Sequence, residues 1–533
     1  MSSDNPNYIH LFDTTLRDGA QTQGVDFTAA NKVTIAHALD TLGIDYIEGG
    51  WPGANATDDQ FFLNPPVLSN AKLVSFGMTR RPGRSAENDP VLAAVLQGKS
   101  DAACLVGKSS SHQVKVALQI EPEENLRMVA DSIRHAAANR AEALYDAEHF
   151  FDGYAQDPDY SISALKAALD AGARWVVLCD TNGGTLPFDV ERVVKEVLKH
   201  IPGDKLGVHF HNDTGCAVAN SLVAVEAGAR HVQGTLNGLG ERCGNANILT
   251  IIANLKLKTK YEVGVSDEGL KTLTSVSRML DDILNRPSDT YAPFVGASSF
   301  AHKAGLHVSA IMRDPTTYEH VAPDSVGNKR HIVMSDQAGR SNLITYLNDF
   351  EIEIDPKDPR VGQILEKVKK VEEEDGLTFD GAEASFELFV RGIVEGKEIE
   401  FFKLDRFRVI DERRLNSKSE WVTDSVALVQ LDVGSKAQAE AGIGRGPIDS
   451  LNEALRKTLH TPYPVLQSMR LVDYKVRIID PQAATGAKTR VIIESEDPTS
   501  GLTWRTVGVS TNIIDASYQA LKDAINWRLL KAR

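Results

Sequence analysis

Hydrophobic and polar positions along the first half of the chain follow two alternating rhythms. Short apolar runs rich in β-branched and aromatic residues occur at 8–16 (YIHLFDTTL), 46–51, 72–77, 102–107, 142–150, 175–181, 205–211 and 231–238, and they read as strands. Between them, stretches such as TAANKVTIAHALDTLG (28–43) and DYSISALKAALDAGA (159–173) carry the three-to-four spacing of amphipathic helices. Strand and helix in alternation predict parallel βαβ units. Eight such units in about 260 residues match the size of a (β/α)₈ TIM barrel. A doubly wound open sheet is the competing architecture. No GxGxxG follows an early strand, and eight repeats favour closure.

The rhythm changes twice more. From about residue 275 to 372 it is mainly helical, with a polar loop at 313–331 and a charged run, EKVKKVEEEDG (366–376), that reads as a solvated helix end or hinge. Beyond it, runs at 407–412, 425–433, 473–479, 489–495 and 504–510 alternate apolar with polar residues, as half-buried antiparallel strands do. The helical stretches GPIDSLNEALRKTL (446–459) and NIIDASYQALKDAI (512–525) resemble each other: Ile448/Ile514, Asp449/Asp515, Ala454/Ala520 and Leu455/Leu521 share an offset of 66 residues. Chance likeness between two amphipathic helices is one reading; a duplicated strands-then-helix unit is the preferred one. The expected α/β chain is thus a barrel over 1–275, a helical linker subdomain over 276–372 and an α+β regulatory or dimerisation domain over 373–533.

Composition narrows the function. A chain of 533 residues with 42% hydrophobic and 25% charged residues is of ordinary globular make-up. The net charge of −15, with no basic cluster, argues against nucleic acid. No apolar stretch reaches the roughly 18 residues of a membrane span, and the N-terminus lacks the charged and apolar regions of a secretory signal. Four cysteines without a CxxC suggest neither a disulfide framework nor a thiolate zinc site. A cytoplasmic location is expected.

Candidate chemistry gathers where the predicted strands end. In HFHND (209–213), His209 and His211 are two residues apart on a strand and face the same way. Alone, such a pair is equally a strand-end surface feature. Other strand ends supply Arg17 and Asp18, Glu48, Glu148, Thr181, and Glu241 with Arg242. Barrel active sites are built at this rim. Two neutral imidazoles plus the Asp18 carboxylate form a three-ligand set with positions left for substrate or water, suited to Zn²⁺ and also to Mn²⁺, Mg²⁺ or Co²⁺.

LFDTTLRDGAQ (11–21), IEGG (47–50), HFHND (209–213) and GLGERCGN (238–245) resemble the signatures of the metallolyase-type barrel superfamily that contains the 2-isopropylmalate, homocitrate and citramalate synthases. FAHKAGLHVSAI (300–311) with Tyr318 resembles that group's helical subdomain, and GIGRGPID (442–449) its C-terminal regulatory domain. GGWPGAN (49–55), DAEHFFDGY (146–154), MRLVDYKVRIID (469–480) and TWRTVGVSTNIIDAS (503–517) are similar to the citramalate branch. Ala20 stands where RDGEQ is commoner, at a position that is not a ligand in the family pattern.

The resemblance implies a Claisen-type condensation of acetyl-CoA with a 2-oxo acid, pyruvate in this branch, followed by thioester hydrolysis, in a route to isoleucine. It implies that Arg17 bonds the keto oxygen, Thr181 binds the substrate carboxylate and Glu48 buttresses Arg17. It makes His307 and Glu148 the pair that handles the methyl proton, with Tyr318 nearby, while His302 stays structural. It places Gly238, Gly240, Glu241, Arg242 and Gly244 at the acetyl-CoA site and Asn245 beside the metal. A homodimer or larger homo-oligomer inhibited by isoleucine is implied as well, with no effector residue assigned: His460, Tyr463 and Asp515 are equally packing or capping residues. Three alternatives stay open: a sister synthase using a larger 2-oxo acid, a carbon–carbon lyase, and an inactive metal-binding amino-acid sensor.

Overall fold

The computed structural model describes residues 5–302, 305–332, 340–379, 381–415, 418, 420–434, 436–479 and 486–533. Two compact units emerge, one running to Phe300 and regaining His320–Arg330, the other made of Ala301–Glu319 and His331–Arg533.

In the first unit eight parallel strands close on themselves: β1 (His10–Asp13), β2 (Tyr46–Gly50), β3 (Lys72–Met78), β4 (Ala102–Lys108), β5 (Glu142–Glu148), β6 (Trp175–Asp180), β7 (Leu206–Phe210) and β8 (His231–Gly234), with β1 paired to both β2 and β8. The eight predicted runs are these eight strands, and the open-sheet alternative falls. The runs at 8–16 and 231–238 are trimmed because their polar ends turn out of the ladder to build the rim.

Alternation along each strand separates two cores. Phe12, Tyr46, Val74, Cys104, Leu144, Trp175 and Val177 fill the barrel interior. Their neighbours Leu11, Ile47, Leu73, Leu105, Tyr145, Val176 and Leu178 face the surrounding helices. This period-two sorting decides which strand residues can reach the rim from inside. Local signals fix the helices. Ala29–Leu42 starts at a Thr28–Asn31 capping box and stops at Gly43, whose φ of 99° is left-handed.

The second unit holds helices Gly305–Ile311, Arg340–Asp349, Pro359–Asp375 and Glu383–Glu395. Pro359–Asp375 buries Val361, Ile364 and Val368 and ends at left-handed Gly376, so the charged run 366–376 is a solvated helix end. Two three-stranded antiparallel sheets follow. The first is β9 (Lys403–Leu415), β10 (Trp421–Val433) and β11 (Lys436–Gly444), the second β12 (Arg470–Ile478), β13 (Thr489–Asp497) and β14 (Leu502–Ser510). Each leads into a helix, Pro447–His460 and Ile513–Leu530.

The duplication is therefore a backbone repeat. A Cβ on Gly442 would lie 2.3 Å from the Ser450 carbonyl oxygen, and one on Gly508 would lie 2.0 Å from that of Ala516. Both glycine and contact recur at the offset of 66, where strand and helix cross too closely for a side chain. Sequence reading overlooked β11, whose KAQAEAGIG is rich in alanine and poor in β-branched residues. It also overlooked the helix Glu383–Glu395. Tyr463 donates to the Phe401 carbonyl, His460 lies 3.4 Å from Arg456, and Asp515 accepts from Gln519, all contacts within the fold.

Candidate active site at the barrel mouth

The inward-facing ends of β5, β6 and β7 and the loops after β1 and β8 converge on a cavity of about 270 Å³ lined by Arg17, Asp18, Glu148, Thr181, His209 and His211. A larger cavity of about 500 Å³ lies in the second unit among Phe379, Leu388, Phe389 and Lys522. Size would select that one. Convergent ionisable groups select the barrel mouth.

Asp18, just beyond β1, has its Oδ2 3.3 Å from His209 Nε2 and 3.9 Å from His211 Nε2. The three groups offer ligand atoms within 4.8 Å of one another, and all three are buried. Burial opposes ionisation of Asp18, but Arg17 and the two histidines override it and hold the carboxyl far below the usual range. Burial, reinforced by His209, pushes His211 down to about 4, so it is a neutral imidazole at pH 7. His209 is held above the ordinary imidazole range: burial works against this, and the Asp18 carboxylate prevails.

The donor set fits a divalent cation. His209 Nδ1 is occupied by Gln233 Oε1 at 2.8 Å, which leaves Nε2 for a ligand. Among the described residues, His211 Nδ1 and Asn245 Oδ1 are buried without a partner. Asn245 Nδ2 donates to Asp18 at 2.8 Å, which sets Asn245 beside this group of side chains. A Cβ at Gly240, whose φ is 155°, would come within 2.1 Å of Asn245 Oδ1. Gly244 likewise crowds the Gly238 carbonyl. The glycines of GLGERCGN thus serve the loop's own closure around Asn245.

Arg17 is clamped. Its Nε donates to Glu48 Oε2 at 2.6 Å, and its guanidinium carbon sits 3.9 Å from the Phe76 ring centroid. Glu48 and Asp18 keep it charged despite burial. Glu48 is fully buried; burial pushes its carboxyl up to about 7, with Arg17 pulling the other way. Thr181 Oγ1 accepts from the His149 amide at 2.8 Å, so its hydroxyl hydrogen is available to a ligand. Glu148 pairs with Lys108 at 2.5 Å. Arg242 grips Asp213 with two bonds of 2.8 and 2.9 Å and donates to the Thr181 carbonyl, while Glu241 is exposed beside it.

His307 and Tyr318 belong to the second unit, where their rings stack with centroids 4.2 Å apart. In the same unit His302 Nε2 lies 3.3 Å from the buried Glu319. Sequence reading missed Asp146, Gln233 and Lys108. The signal was available: Asp146 and Gln233 share the inward phase of Glu148 and His231, by the rule that paired His209 with His211.

Three family patterns cover successive stretches of the chain. The HMGL-like family pattern matches residues 8–280, the homocitrate synthase post-HMGL domain-like pattern 294–376, and the LeuA allosteric (dimerisation) domain 380–529. The (R)-citramalate synthase of Geobacter sulfurreducens is 47% identical over 526 residues, covering 98% of both chains. That of Aquifex aeolicus is 46% identical over 528 residues, again covering 98% of both. A 2-isopropylmalate synthase of Sulfolobus acidocaldarius is 34% identical over 69% of this chain and 92% of its own. With its HMGL-like barrel and LeuA-type domain, the chain belongs to the (R)-citramalate synthase family of acyltransferases.

Proposed function

We propose that this protein condenses acetyl-CoA with pyruvate to give (R)-citramalate and CoA at the mouth of the barrel. The carrying observation is the buried Asp18, His209 and His211 set beside a guanidinium that cannot turn away. Asp18, His209 and His211 would hold a divalent cation, with Asn245 alongside, and Mn²⁺ or Zn²⁺ suits their mixture of nitrogen and oxygen donors. Bound there, the cation supplies Lewis acidity toward the carboxylate and keto oxygens of the 2-oxo acid.

The chain's own residues do the rest. Arg17 donates to the keto oxygen and stabilises the negative charge that collects there, already oriented by Glu48. The Thr181 hydroxyl donates to the substrate carboxylate. His307 and Glu148 share the handling of the acetyl methyl proton, as the resemblance implies, with Tyr318 orienting His307 through their stacking. The methyl carbon, its proton removed, bonds to the keto carbon, and the keto oxygen takes up a proton. Water then cleaves the thioester and CoA leaves. The loop holding Gly238, Gly240, Glu241, Arg242 and Gly244 receives acetyl-CoA. We further assign the barrel to 1–275, the linker to 276–372 and a dimer-forming, isoleucine-sensing domain to 373–533. The match of the LeuA allosteric (dimerisation) domain supports that last role.

A CoA-release assay with Mn²⁺ or Zn²⁺ tests the reaction, comparing pyruvate with 2-oxobutyrate, 2-oxoisovalerate and 2-oxoglutarate. Highest kcat/KM on pyruvate, abolished in His209→Ala, is the expected result. A preference for 2-oxoisovalerate or 2-oxoglutarate overturns the substrate assignment. Silence with all four by folded, metal-loaded protein overturns the reaction.

A further inference from the structure

Behind the proposed ligand His209 runs a buried hydrogen-bond chain that crosses the barrel interior. Gln233 Nε2 on β8 donates to Asp146 Oδ1 on β5 at 3.0 Å, and Gln233 Oε1 lies 2.8 Å from His209 Nδ1 on β7. Gln233 is 0% exposed, Asp146 3% and His209 5%, so water does not compete for these bonds. A carboxylate oxygen only accepts. The amide of Gln233 must therefore turn its NH₂ toward Asp146 and its carbonyl toward His209. That carbonyl in turn requires a hydrogen of His209 on Nδ1, so Nε2, which faces Asp18, is the nitrogen left for a ligand.

We infer that Gln233 and Asp146 are positioning residues that fix the tautomer and ring orientation of His209, so that its Nε2 is presented to the cation. The inference rests on the reading of Asp18, His209 and His211 as the cation site. Gln233 acts directly on the imidazole, and Asp146 acts through Gln233 by denying its amide the flipped orientation. Among the described residues His211 has no equivalent partner on Nδ1. The preset orientation thus belongs to His209 alone of the two histidines.

The test is Mn²⁺ affinity, measured calorimetrically on the full-length protein after chelation, with far-UV circular dichroism of each metal-free variant as the check on folding. Gln233→Met is expected to weaken Mn²⁺ binding about 10- to 100-fold. Asp146→Leu should lose affinity in the same way, whereas Asp146→Asn, whose amide oxygen still accepts from Gln233, should stay within about threefold of wild type. His209→Ala separates the two readings. If it binds Mn²⁺ as wild type does, the cation site itself is misassigned and the inference falls with it. If it loses Mn²⁺ while Gln233→Met keeps wild-type affinity, the cation site stands and the inference alone is overturned. Should Gln233→Met fail to fold, Asp146→Asn against Asp146→Leu carries the test, and equal affinities for that pair overturn the inference.

Discussion

Arg17 shows at the scale of one side chain how the barrel mouth is prepared before any ligand arrives. Held by Glu48 on one edge and by the Phe76 face on another, its guanidinium needs no reorganisation when charge develops on a neighbouring oxygen. A lysine at this position keeps the charge but loses both the planar fork and the stacking. Arg17→Lys is therefore expected to lower kcat about 10²- to 10³-fold, with little change in the thermal midpoint, as steady-state kinetics beside a melting curve would show. Asp18, His209 and His211 were legible in the sequence because strand phase and strand-end position are both written in residue order. Lys108 was not, since its pairing with Glu148 joins neighbouring strands whose register only the folded barrel defines. Asp146 and Gln233 lie between these cases: their inward phase was readable, but the hydrogen bond between β5 and β8 spans the barrel.

At the scale of elements, the second unit depends on a few contacts between sheet and helix. Asp497 at the end of β13 is 0% exposed and pairs with Arg528 of the terminal helix at 2.7 and 2.5 Å. Burial alone would raise its carboxyl; bonds from Thr499, Ser468 and Arg528 override this and hold it well below the ordinary range. A depressed carboxyl contributes stability that is present above its unfolded pKa of about 3.9 and is lost as the pH falls through lower values. Asp497→Ala is expected to cost about 3–5 kcal/mol at pH 7, because it strands a buried guanidinium. Urea unfolding at pH 7 and again near pH 3 should show the gap between variant and wild type closing in acid. Gly508→Ala drives a methyl into the Ala516 carbonyl, and calorimetry should record a loss of about 1–3 kcal/mol or more. Most elements were foreseen from periodicity. β11 was not, because its alanines and glycines leave no apolar rhythm and its pairing with β10 alone defines it.

For the whole molecule, one face of the first sheet stands out. Ile410, Val426 and Ile443 are cross-strand neighbours on β9, β10 and β11, and they are 52%, 39% and 71% exposed. An apolar row of this kind is a candidate association surface, and because residues 380–529 match a dimerisation domain we propose a second copy of the chain as its occupant. Ile443→Glu is expected to shift the protein toward monomer in light scattering coupled to gel filtration, with kcat for pyruvate as the companion measurement. An unchanged dimer would place the association surface elsewhere. The repeat at an offset of 66 residues sets a limit on sequence change. Most aligned positions of the two units differ, yet Gly442 and Gly508 both stand where a helix leaves no room for a methyl group. Any sequence built on this repeat, natural or designed, therefore keeps its freedom on the exposed faces and surrenders it at these two crossings.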